Sequence, residues 1–201
     1  MTSTTGSVDK LGMGSGRLTI CILCLSVAVN VVLTYQLSQV RSEMLESAPV
    51  SIGERVKTIA LVARDGTRST YEFEGAGLPT LVYWFRPSCI WCEANLPNVE
   101  ALARQAGEKY RFLAVSDSSP AELSRYASSH QLGFPVYTML PVSVAQSPFQ
   151  ATPASLLVSA RGLTAKYWSG AYVPTTLVDV EETLGINLPG LSAQVQRGTV
   201  Q

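Results

Sequence analysis

The sequence predicts an α/β domain, a mixed β-sheet flanked by helices on both faces, with a β-hairpin at its N-terminal side and one apolar helix ahead of it. Three observations carry this prediction. Residues 18–35 form an uncharged apolar run. From residue 52 to about 190 the pattern alternates as hairpin, β, α, β, α, hairpin, α, an order that calls for a mixed sheet. At the first strand-to-helix junction stand Cys89 and Cys92, two residues apart.

A chain of 201 residues suffices for one domain with a real core plus additional sequence. Its 15 basic and 15 acidic side chains cancel, so it lacks the electrostatic footprint of a nucleic-acid binder. Residues 1–17 are rich in Ser, Thr and Gly and read as a cytoplasmic tail. The run 18–35 would cover roughly 27 Å as a helix, close to a hydrocarbon core, and reads as a single transmembrane anchor. No A-x-A-like site follows closely, which argues against a cleaved signal peptide. Lys10 and Arg17 precede the run, so the positive-inside rule keeps the tail cytoplasmic and exports the rest, to the periplasm of a bacterium. Disulfide chemistry persists on that side. Residues 36–51 read as a linker, 52–188 as the folded domain and 189–201 as a C-terminal tail.

Within the domain, 56–63 and 67–74 flank Arg64, Asp65 and Gly66, an Asp-Gly turn that closes a hairpin. Residues 78–85, "LPTLVYWF", are apolar, β-branched and aromatic, as in a strand buried on both faces. Leu96, Val99, Leu102 and Ala106 then recur at helical spacing, with Pro97 inside the helix and Gly107 available to end it. Residues 110–116 form a second core strand. Ser119, Pro120 and Glu122 make a capping box with a proline at the first helical position, opening a helix to about His130. Residues 135–150 read as an irregular connection. Strands at 154–159 and 163–168 surround a turn at Arg161 and Gly162, and a last helix spans 174–184, closed by Gly185.

A C-x-x-C at the start of a helix sets the first thiol over unpaired backbone N–H groups and the positive end of the helix dipole. These stabilise a thiolate and mark Cys89 as the exposed nucleophile. Cys92, one turn further, is placed to attack a mixed disulfide on Cys89 and to act as the resolving thiol. Zinc needs four ligands, and outside 18–35 only Cys89, Cys92 and His130 are on offer, so no metal site is expected. A static disulfide across so short a loop gives little entropic stabilisation. No cofactor is expected. Pro153, after Thr152 and directly before a strand, is placed to hold a rigid loop; with a cis bond the Thr152 backbone can pair with an extended substrate segment beside the cysteines.

The strand "TLVYWF", the segment "PSCIWCEANLP", Pro97, "FPV" at 134–136 and "TPASLLVSARGL" followed by Gly170 together resemble the thioredoxin superfamily. Within it they look most like the TlpA/ResA-like, membrane-anchored thiol–disulfide oxidoreductases of bacteria. The resemblance covers about 52–188. It implies a thioredoxin-like fold, Cys89 as nucleophile, Cys92 as resolving thiol and Pro153 as the cis-proline beside them. It further implies disulfide-containing proteins as substrates, reduced outside the cytoplasm, and a membrane thiol reductase of the CcdA/DsbD kind as electron donor.

The departures from that family are specific. Ser88 occupies the place where a Trp commonly precedes the first cysteine, and Trp91 stands between the cysteines. Trp91 is either an exposed docking surface for partner chains or folded back onto the domain. No acidic residue interrupts 78–85, where thioredoxins carry a buried carboxylate. Glu93 is the nearest acid, a solvated first-turn residue favouring the dipole or a proton-transfer group for Cys92. Trp84 reads as core, Arg86 as a strand end in water, His130 as a surface residue, and Cys21 and Cys24 as small hydrophobes. Two alternatives to the reductase are a peroxide-reducing enzyme of the same fold and a copper-delivery module. The first lacks a hydroxyl at the position held by Arg86, and the second generally uses a cysteine pair spaced one residue wider.

Overall fold

A computed structural model of the chain describes residues 20, 22–34, 50–56, 58–75 and 77–192. The predicted tail 1–17, most of the linker 36–51, and 193–201 lie outside them. The chain divides into two compact units, Met1–Ala48 and Pro49–Gln201.

In the first unit, residue 20 and residues 22–34 are helical with exposed side chains. Asn30 Nδ2 donates to the Ser26 carbonyl at 2.8 Å and Thr34 Oγ1 to the Asn30 carbonyl at 2.8 Å, so these polar side chains are satisfied by their own helix. The predicted span 18–35 lies only partly within the described residues. Among the described residues no helix is long and apolar enough to cross a membrane.

The second unit is built on one seven-stranded sheet of order β2-β1-β5-β4-β3-β6-β7. Its strands are β1 (Ile59–Val62), β2 (Arg68–Tyr71), β3 (Thr80–Trp84), β4 (Arg111–Ser116), β5 (Val136–Met139), β6 (Ala154–Val158) and β7 (Thr164–Ser169). The helices are α1 (Ile90–Arg104), α2 (Pro120–Ser129), α3 (Pro141–Ala145) and α4 (Pro174–Leu184). β3, β4 and β5 run parallel to one another, whereas β1 pairs antiparallel with β2 and β5, and β6 antiparallel with β3 and β7. The hairpin turn is the expected one: Gly66 has φ 86°, and the Asp65 carboxylate accepts the Thr67 N–H at 2.9 Å.

β3 is buried at every residue, and its alternation divides the core. Val82 and Trp84 join Leu113, Val115, Leu156 and Phe149 on one face, where Trp84 stacks on Phe149 with centroids 5.4 Å apart. Leu81 and Tyr83 face the other way, toward α1, α2 and α4, meeting Leu102, Val180, Leu123 and Tyr126. The expected cover of both faces is therefore uneven. Three longer helices share one face, and the opposite one receives Val144 of the five-residue α3.

Two further expectations are corrected. The segment 135–150 is no irregular connection, since it holds β5, which lies between β4 and β1, and α3. Helix α1 ends at Arg104 and is capped by Gln105 rather than by Gly107, whose φ of 114° belongs to the turn leading into β4. Beyond residue 188 the chain still bonds to α1: Gly190 N–H donates to Asn98 Oδ1 at 2.8 Å and Ser192 N–H to the Ala94 carbonyl at 2.9 Å.

Candidate active site

β3 delivers the chain to the sheet edge, and the turn after Phe85 is closed by the Cys89 N–H donating to the Arg86 carbonyl at 3.1 Å. Cys89 is the N-cap of α1, with φ −88° and ψ 111°, and its sulfur accepts the Cys92 backbone N–H at 3.2 Å. One of the orphan donors of the first turn is thereby aimed at the thiol, as the sequence predicts. The second turn-closing acceptor is the Cys89 carbonyl, which takes the Cys92 and Glu93 N–H groups at 3.0 and 3.1 Å. Both cysteines are free thiols, Cys89 half-buried and Cys92 only 2 % exposed.

Across from the pair, the Thr152–Pro153 peptide bond is cis. The Cys89 thiol donates to the Thr152 carbonyl at 3.4 Å, and the Thr152 side chain also interacts with Cys92. The structure thus brings Cys89, Cys92, Thr152 and Pro153 together. Trp91 is 43 % exposed and its neighbour Ile90 69 %, so α1 presents apolar surface beside Cys89. A polar groove of about 420 Å³ opens on the other side, between Pro87–Ser88 and the α2 residues Glu122, Arg125 and Ser129.

Burial pushes the Cys92 thiol far above its ordinary range, and a hydrogen bond with Cys89 acts in the same direction. Behind it lies a cavity of about 10 Å³ lined by Tyr83, Phe85, Leu96, Val99, Tyr126, Leu132 and Phe134. Tyr83 occupies β3 where the missing carboxylate was noted. Its phenol is raised well above the usual range, first by burial and then by the neighbouring Cys92. The hydroxyl accepts from Asn95 Nδ2 at 3.4 Å.

Two residues stand differently from their sequence reading. Arg86 does not simply end its strand in water, because its guanidinium grips the Asp117 carboxylate at the end of β4 with two nitrogens. That grip holds the Asp117 carboxyl below its usual range. His130 is not an isolated surface residue: its Nε2 lies 3.0 Å from the Glu93 carboxylate. Tyr83, Asn95, Tyr126 and Asp117 were not singled out from sequence. Only Tyr83 left a trace there, as the inward-facing position of β3 nearest the cysteines. Among the described residues no group of three or more His, Cys, Asp or Glu side chains is arranged to hold a metal ion. Cys24 is exposed on the N-terminal helix, and Cys21 lies outside the described residues.

No family model matches the chain. It is 26 % identical over 113 residues to a methylamine utilization protein, MauD, of Methylorubrum extorquens, a match covering 56 % of this chain and 54 % of that protein. The chain thus spans about half the length of that curated relative. Among solved structures it resembles a thiol:disulfide interchange protein of the thioredoxin family from Chlorobium tepidum, with TM-score 0.54 and 14 % identity over 67 % of this chain and 97 % of that one. A peroxiredoxin-like protein from Aquifex aeolicus is similar to the same degree, with TM-score 0.53 and 14 % identity over 67 % and 87 %. Such likenesses give the fold and leave the activity to the site. Fold, cysteine pair and relatives agree on a thioredoxin-like fold that carries a C-x-x-C pair at the start of α1.

Proposed function

We propose that the chain is a membrane-anchored thiol–disulfide oxidoreductase of the TlpA/ResA-like kind, reducing protein disulfides on the periplasmic side of a bacterial inner membrane. The observation that carries the reading is the pairing of an N-cap thiol, Cys89, with a buried thiol, Cys92, whose own N–H donates to the Cys89 sulfur at 3.2 Å.

The chemistry follows from that asymmetry. The Cys89 thiolate attacks a substrate disulfide, one substrate sulfur leaves, and a mixed disulfide forms on Cys89. Cys92 then attacks the Cys89 sulfur, the second substrate thiolate is released, and the enzyme holds a Cys89–Cys92 disulfide. Two electrons pass from the cysteine pair to the substrate. A membrane thiol reductase of the CcdA/DsbD kind restores the dithiol. Ile90 and Trp91 supply an apolar docking surface, and the Thr152 backbone beside Pro153 pairs with the extended substrate segment. The anchor is supported by the uncharged run 18–35 and by Asn30 and Thr34, whose side chains bond to their own helix as a hydrocarbon medium requires.

The test is a Cys92→Ala variant of the full chain incubated with an oxidised protein such as insulin. A mixed disulfide should accumulate on Cys89, and the wild type should reduce the substrate catalytically. If neither occurs with Cys89 intact, the reading fails. The reduction potential of the pair assigns direction: about −270 mV, as in thioredoxin, fits a reductase and about −120 mV an oxidant. Membrane fractionation, with thiol labelling from each side, checks the anchor and its orientation.

A further inference from the structure

In the resolving step Cys92 loses its proton, yet its thiol is buried and its proton affinity is high. Besides Cys92 itself, the polar groups lining the cavity behind it are the phenols of Tyr83 and Tyr126. Tyr83 leads inward. Its hydroxyl meets Asn95, whose amide oxygen is occupied by Asn98 Nδ2 at 2.9 Å and by the Tyr172 N–H at 3.2 Å.

Tyr126 leads outward. After burial, the neighbouring Glu93 carboxylate is the next largest influence raising its phenol, so the two groups stand close together. Glu93 in turn stands 3.0 Å from His130 Nε2, and His130 Nδ1 lies 3.0 Å from the Tyr126 carbonyl. The Ser129 hydroxyl also lies 3.0 Å from Nδ1. The side chains of His130 and Glu93 are 25 % and 47 % exposed, so this string of groups ends in water. Its parts come from two elements: Cys92 and Glu93 are adjacent on α1, while Tyr126 and the α2 C-cap His130 are one turn apart with rings 4.2 Å apart. The other charges nearby are the Arg86–Asp117 pair, and Glu122 and Arg125 on α2.

We propose that Tyr126, Glu93 and His130 form the proton exit of Cys92. This rests on the thiol–disulfide reading above. As the Cys92 sulfur bonds to the Cys89 sulfur, the bond between Cys89 and the substrate breaks and its electron pair leaves on the substrate sulfur, which takes a proton from solvent. The Cys92 proton passes to the Tyr126 oxygen, directly or through one water in the cavity, while the Tyr126 proton passes to Glu93 and on to His130 or water. The phenol gives up one proton as it takes another and never has to ionise. Burial, which holds that phenol well above its usual range, disfavours any ionised intermediate.

The experiment uses the reduced full chain and the small disulfide 5,5′-dithiobis(2-nitrobenzoate) in a stopped-flow instrument. Attack by Cys89 releases a first coloured thiolate and resolution by Cys92 a second, so each step has its own phase. Tyr126→Phe and Glu93→Gln are expected to slow the second phase by about tenfold or more, the scale of general acid–base assistance, and to leave the first within about threefold. The intact first phase reports an intact fold in the same trace. In His130→Ala the slowed second phase should recover with added imidazole, which a merely structural loss would not do. A second phase at the wild-type rate in Tyr126→Phe and Glu93→Gln overturns the proposal, and failure of imidazole to restore His130→Ala removes His130 from it. A wild type with no second phase at all would instead overturn the redox-pair reading itself.

Discussion

At the scale of single residues, Asn95 is the support on which the buried polar groups of the site converge. It is fully buried, donates to the Tyr83 hydroxyl, and accepts from Asn98 Nδ2 and the Tyr172 N–H. Asn95→Ala would leave two buried donors, Asn98 Nδ2 and the Tyr172 N–H, and one acceptor, the Tyr83 hydroxyl, without this partner, and unmet buried groups cost about 1–3 kcal/mol each before relaxation. We expect a loss of roughly 2–4 kcal/mol, read as a lower urea midpoint at unchanged slope. A loss under about 1 kcal/mol would mean that the network is not shared in this way. The Arg86–Asp117 pair makes a prediction in pH. The Asp117 carboxyl is depressed when folded, so its contribution is present above the ordinary carboxyl value of 3.8 and is lost as pH falls through the lower folded value. The stability difference between wild type and Asp117→Asn should therefore be constant from pH 7 to about 5 and shrink below about 4. A difference that persists unchanged at pH 2 would contradict the pairing.

At the scale of elements, local chemistry explains what could be read in advance. Helix α2 begins with a complete capping box: the Ser119 side chain takes the Glu122 N–H at 3.3 Å, and the Glu122 carboxylate takes the Ser119 N–H at 2.9 Å. Ser119→Ala should cost about 1 kcal/mol in urea unfolding. Because α2 carries Tyr126 and ends at His130, the same change should also loosen the contact with Glu93. Slower amide exchange in α2 of the variant than in wild type would contradict this. The capping box, the Asp65–Gly66 turn and the left-handed Gly185 at φ 63° each depend on residues a few positions apart, and each was legible. β5 was not. Its four residues sit between Pro135 and Pro141, show no alternation, and are held by strands distant in sequence. Likewise the contact between Glu93 and His130 joins residues 37 apart, which no local pattern announces. The cysteine pair and Pro153 were visible because spacing and strand position are local. Asn95 was not, because an Asn on the inward face of a helix looks like any exposed polar residue until its partners are known.

At the scale of the whole molecule, the site face of the sheet is unusually dependent on neutral phenols and a neutral thiol. Burial raises Tyr83, Tyr126 and Tyr172 well above the usual phenol range and Tyr110 to about 12, while Cys92 is raised far above its own ordinary value. These groups belong to both clusters on the helical face, so they lie in a single packed layer. Each is harder to ionise when folded than when unfolded. Their stabilising effect is therefore complete below the ordinary values, 9.0 for the thiol and 10.0 for a phenol, and is lost as pH rises toward the folded ones. Stability should be level to about pH 8, begin to fall near 9 as unfolded Cys92 ionises, and fall steeply above 10 as the phenols join. Tyrosine absorbance and near-ultraviolet circular dichroism, followed together from pH 8 to 13, provide the check. Part of the phenolate signal should appear only as the dichroism collapses, in one cooperative step. If all 8 tyrosines titrate gradually near pH 10 with the dichroism intact, the phenols around Cys92 are in contact with water and the dry layer behind the cysteine pair does not exist.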